Sequence, residues 1–82
     1  MKHLNVGLLG IGTVGGGTYA VLTRNAAEIS RRTGVAINVV QVADRNVELA
    51  KKVTGGNVDI TDDAFATVSN PNVDVVVELI GG

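Results

Sequence analysis

The apolar positions change period repeatedly along the chain. Val6, Leu8 and Leu9 form a short apolar run that ends at a glycine, which predicts a strand over residues 4–10. From Thr13 the period turns helical. Val14, Thr18, Val21, Leu22 and Ile29 fall within about a 100° arc of a helical wheel, so a long helix is expected up to Arg32, closed by Gly34. The stretch AINVVQVA, residues 36–43, reads as a second strand. Asn46 then has the chemistry of an N-cap. Glu48 falls in the first turn that follows, Lys51 and Lys52 in the last, and Gly55-Gly56 end that short helix. Residues 58–60 are expected to make a brief third strand. Thr61 is expected to cap a further helix, with Asp62 and Asp63 in its first turn and Asn70-Pro71 as its stop. The run VDVVVELI, residues 73–80, reads as the last strand, with Gly81-Gly82 after it.

The order is therefore βαβαβαβ. Alternation of this kind implies an α/β fold with a parallel sheet and right-handed crossovers. The longest apolar run is in the last strand, and parallel strands of that kind sit inside a sheet with both faces covered. The sequence thus reads as the first part of an open parallel α/β domain, incomplete after its fourth strand. A fifth strand and another helix are expected to follow.

Composition narrows this further. A chain of 82 residues makes one domain at most. Hydrophobic residues are 45% but aromatic ones only 2%, so the core must be built from Val, Ile, Leu and Ala. Seven basic and eight acidic residues give a net charge of −1, with no basic excess to steer nucleic acid. No stretch approaches the roughly 18–20 apolar residues of a membrane span. The start MKHLNVGLLG is followed by glycines and a helix pattern where a signal-peptide cleavage site would fall. Cysteine is absent, which excludes a disulfide framework and a thiolate metal site. The expected location is cytoplasmic.

The glycines between the first strand and the first helix carry the chemistry. Gly10-x-Gly12-x-x-Gly15 matches the dinucleotide fingerprint and lies where that motif works, directly after a strand and opening a helix. Gly10 permits the tight turn, Gly12 lets backbone approach a diphosphate, and Gly15 lets the helix pack close to the strand. The amides and the positive dipole end there would hold the diphosphate. Gly16 and Gly17 are not demanded by the motif; Gly17 is expected to relieve crowding against the sheet. At the end of the second strand, VADRN offers Asp44 and Arg45. An acidic residue here bonds ribose hydroxyls, and an arginine accommodates the 2′-phosphate of NADP. Arg45 is assigned to the phosphate; Asp44 either bonds the ribose or caps the turn. NADP is the expected cofactor, with NAD also accommodated.

Other positions are plainer. Glu78, near the carboxyl edge, is expected to accept hydrogen bonds from neighbouring loops. Gly81 and Gly82 would admit the nicotinamide half of a cofactor. His3 is expected on the surface, Tyr19 and Phe65 in or beside the core, and Lys51 and Lys52 at a solvated helix end.

NVGLLGIGTVGGGTYAVL together with DDAFATVSNPNVDVVVELIGG closely resembles the N-terminus of homoserine dehydrogenases, over essentially the whole chain. The resemblance implies reduction of aspartate 4-semialdehyde to homoserine with NADH or NADPH, by an enzyme that forms dimers or larger assemblies. It places Gly10, Gly12, Thr13, Val14 and Gly15 on the pyrophosphate loop, Arg45 at the 2′-phosphate and Gly81 beside the nicotinamide ribose. The family's catalytic lysine and substrate carboxylates match no residue of this chain, so the segment alone is expected to be inactive. Two other readings remain: a Rossmann dehydrogenase of another amino acid or semialdehyde, such as an aspartate dehydrogenase, and a nucleotide-sensing module without chemistry.

Overall fold

The computed structural model describes residues 2–79, and for residues 12–16 and 18 it describes the backbone alone. The elements are β1 (Lys2–Leu9), α1 (Ile11–Thr33), β2 (Val35–Ala43), α2 (Val47–Thr54), β3 (Asp59–Thr61), α3 (Ala64–Val68) and β4 (Val75–Glu78). The four strands are parallel and ordered β3-β2-β1-β4. Two crossovers run in one direction and a third returns across the sheet; α1 and α2 pack together on one face, and α3 packs over Gly7 on the other. The chain thus has the α/β architecture that its periodicity implies.

The core lies on the α1–α2 face. Val6, Leu8 and Val42 from the strands meet Ile11 and Ala50, and Tyr19, Leu22 and Val77 pack around them. Burial raises the pKa of the Tyr19 phenol, because the charged form is disfavoured away from water. The helix start departs from the expected Thr13. Gly10 adopts a left-handed conformation, φ 83° and ψ 38°, which turns the chain early enough for helix to begin at Ile11. Ile11 is then fully buried under the sheet edge.

The inward stripe of α1 also differs from expectation. Val21 and Ile29 are 47% and 45% exposed, whereas Leu22 and Ser30 turn inward. The Ser30 hydroxyl donates to the Ala26 carbonyl at 2.8 Å and accepts from the Ile37 amide at 3.2 Å, tying the helix to β2. A polar residue therefore holds the position that an apolar pattern would assign to Ile29. The expected inward positions Val14 and Thr18 lie outside the described side chains. Gly17 is exposed, and a methyl group there would meet no atom within 4 Å. It relieves no crowding against the sheet. Gly34 ends the helix with φ 75°, its amide bonded to the Ser30 carbonyl.

On the opposite face α3 sits close to the sheet over Gly7. The buried Gln41 stands beside Gly7 in the β1–β2 register, just after a shift in that register. Its side chain donates to Asp59 at 3.0 Å and accepts from Asn70 at 3.1 Å. This face is thus pinned by a polar network. The α3 cap is Asp63, whose carboxylate accepts from the Phe65 amide, and not Thr61; no acidic residue lies in that helix's first turn. Thr61 belongs to β3, and its hydroxyl accepts from the Asp63 amide. Phe65 is 74% exposed rather than part of the core, because the short α3 turns Thr67 to the sheet instead. β4 is shorter than expected. Val73 is held in a turn by the Asn70 carbonyl, and Asp74 exchanges backbone and side-chain hydrogen bonds with Asn5 before pairing begins.

Candidate functional site

The carboxyl ends of all four strands are locked together by three backbone hydrogen bonds. The Gly10 amide donates to the Ala43 carbonyl at 2.8 Å, Leu79 to Leu9 at 2.8 Å, and Asp44 to Thr61 at 2.9 Å. The order of the strands reverses between β1 and β4: the chain runs outward from β1 through β2 to β3 and then returns to place β4 on the other side of β1, and open α/β sheets bind ligands outside the carboxyl edge at such a point.

A groove of about 480 Å³ opens on this carboxyl edge, beyond β1, β2 and β3, lined by Leu9, Gly10, Ala43, Asp44, Arg45, Asp62 and Ala64. Gly10 is the N-cap of α1, so it offers no side-chain cap to the first-turn amides, and no acidic residue stands in that turn. Those amides and the positive end of the helix dipole are available to an anion. The conformation of Gly10 is the tight turn that the fingerprint requires. Of the other expected loop residues, the side chains of Thr13 and Val14 and the surroundings of Gly12 and Gly15 lie outside the described residues. The helical backbone does run through them.

Asp44 and Arg45 stand on the β2 side of the groove. The Asp44 carboxylate accepts from the Asn46 amide at 2.8 Å, the turn-capping alternative that its position offered. Asn46 in turn caps α2, accepting from the Leu49 amide at 3.0 Å. Two successive caps thus fix the backbone on both sides of Arg45, whose side chain is exposed at the groove. Glu78 is exposed on the edge strand β4, and its carboxylate takes part in no hydrogen bond or ion pair among the described residues, so the expected role as loop acceptor is not met there. His3, Lys51 and Lys52 are exposed, as expected. Gly81 and Gly82 lie outside the described residues. Among the described residues no three His, Cys, Asp or Glu side chains are grouped to hold a metal ion.

Asp62 and Ala64 at the groove were not singled out as site residues by the sequence, because their signals were those of a helix start. Gly7 was missed too, although a glycine inside a strand marks a close approach of another element.

A glycine turn into an uncapped helix, at the strand-order reversal of a parallel sheet and beside an acid–arginine pair, defines a dinucleotide-binding domain of the Rossmann type. Comparison with known proteins narrows the class. Residues 10–82 match the family model of the homoserine dehydrogenase NAD-binding domain, and the chain belongs to that family. It is 71% identical to a homoserine dehydrogenase of Methylobacillus glycogenes and 54% identical to that of Pseudomonas aeruginosa, each over its whole length. It spans about a fifth of those relatives, 20% and 18%. The crystal structure of a homoserine dehydrogenase from Thiobacillus denitrificans superposes on the whole chain with a TM-score of 0.80 at 54% identity, over 19% of that protein. Among the described residues no helix is long and apolar enough to cross a membrane.

Proposed function

We propose that this chain is the cofactor-binding part of an NAD(P)-dependent homoserine dehydrogenase, interconverting L-homoserine and L-aspartate 4-semialdehyde in amino-acid biosynthesis. The observation that carries this reading is the Gly10 turn into an uncapped helix within a chain 71% identical to a named homoserine dehydrogenase. The nicotinamide supplies the hydride chemistry when bound. The chain's own residues bind and orient. Gly10, Gly12, Thr13, Val14 and Gly15 form the diphosphate loop, their amides facing the anion. Asp44 braces the turn after β2. Arg45 receives a 2′-phosphate through its planar fork of donors. Gly81 is assigned to the nicotinamide ribose. Residues for substrate binding and proton transfer belong to another part of the enzyme, which would act in the cytoplasm as a homo-oligomer on a small-molecule substrate.

The test uses the full-length protein. Homoserine-dependent reduction of the cofactor is expected with NADP or NAD. Arg45→Ala should raise the KM for NADP by about tenfold, the loss of one charge-assisted contact, while the KM for NAD changes about twofold or less. Equal weakening of both would remove Arg45 from the 2′-phosphate, and no homoserine-dependent turnover would sink the assignment.

A further inference from the structure

We infer that Asp62, which lines the same groove as Arg45, is a cofactor-specificity residue that restrains binding of a 2′-phosphorylated dinucleotide. The inference rests on the cofactor reading above and deepens it. Asp62 follows β3 directly and lines the same groove as Arg45 on β2 and Gly10 on β1. The other polar groups of this rim are committed to the fold. Asp44 accepts from the Asn46 amide, Asp63 from the Phe65 amide, and the Thr61 hydroxyl from the Asp63 amide. Asp62 differs from them. Its carboxylate is exposed and enters no described hydrogen bond or ion pair, and the same holds for the Arg45 guanidinium. The described ion pairs lie within α1 and α2 instead.

One exposed cation and one exposed anion thus line the same ligand space. A ribose carries hydroxyls that a carboxylate can accept. A 2′-phosphate brings a charge of about −1.5 to −2 near neutral pH. Arg45 attracts that charge and Asp62 repels it, whereas an unphosphorylated ribose gains little from Arg45 and loses nothing to Asp62. The arginine alone would commit the groove to NADP. With the carboxylate present the preference is moderated, and both cofactors can be used. Both groups reach into water, so their effect on the ligand is damped beyond a Debye length of about 8–10 Å at moderate salt.

The experiment measures equilibrium binding of NADP and of NAD to the full-length protein, at low and at high salt. Wild type, Asp62→Asn and Asp62→Lys are compared. Asn is close in shape to Asp and the site is exposed, so folding should be retained. Asp62→Asn should shift the ratio of the two dissociation constants toward NADP by about three- to tenfold at low salt. Asp62→Lys should shift it further, and about 0.5 M salt should shrink both shifts. An unchanged ratio, with both cofactors still bound by wild type, would overturn the role of Asp62 and leave the cofactor reading standing. Wild type that binds neither dinucleotide would overturn both.

Discussion

A methyl group added at Gly7 would stand 2.5 Å from Thr67 Cγ2 and 3.2 Å from Val73 Cγ1. No real side chain tolerates the first distance, so α3 or the strand must shift. Thr67 is itself fully buried, and its hydroxyl has no hydrogen-bond partner among the described residues. Its methyl group lies against the strand at Gly7. Gly7→Ala should therefore destabilise the fold by about 1–3 kcal/mol, the usual cost of overpacking. Thr67→Ser removes the offending methyl group and should recover much of that loss in the double variant. Gly17 carries the opposite expectation. With no atom near its absent side chain, Gly17→Ala should stabilise by up to about 1 kcal/mol, because alanine is the better helix former. Urea denaturation of the four variants against wild type checks both signs, and additive behaviour of Gly7→Ala with Thr67→Ser would remove the contact as the cause.

Among the elements, α2 is the one whose ends the sequence spelled out in full. Asn46 caps it, Glu48 and the lysine pair complement its dipole, and Gly55 ends it with φ 76°. These signals are local, involving partners within a turn, and local chemistry is legible without a fold. The same is true of Gly34 at the end of α1 and of the Gly10 turn out of β1, although not of the residue at which α1 starts. What the sequence concealed depends on contacts between distant residues. The inward stripe of α1 was drawn from apolar period, but Ser30 reaches β2 through a hydrogen bond that no period reveals. The Gln41–Asp59–Asn70 network joins residues 18 and 29 positions apart. At the site, Gly10 and Arg45 were legible as motif and charge; Asp62 was not, since β3 had to bring it there first. The Asn46 cap also permits a test that separates stability from binding. Asn46→Ala removes the acceptor for the Leu49 amide but keeps the backbone amide that Asp44 holds. It should cost about 1 kcal/mol in thermal or urea unfolding, with dissociation constants for NADP and NAD unchanged well below the melting temperature.

At the scale of the molecule, the sheet is closed on neither side. β4 pairs with β1 along one edge, and among the described residues nothing pairs along the other. Its Val75 and Val76 are 40% and 37% exposed, and on α3 Phe65 and Val68 are 74% and 58% exposed. A parallel strand of this composition belongs inside a sheet, and the chain spans only about a fifth of its relatives. An unpaired apolar edge is a template for another strand. Expressed alone, residues 1–82 should therefore be marginally stable and associate through β4. Val76→Lys places a charge on that edge strand, the device by which natural sheets block edge pairing. Sedimentation over a tenfold range of concentration should show association in the wild-type chain and less of it in Val76→Lys. A wild-type chain that stays a monodisperse monomer and melts cooperatively at high temperature would mean that α3 and the short length of β4 already protect the edge.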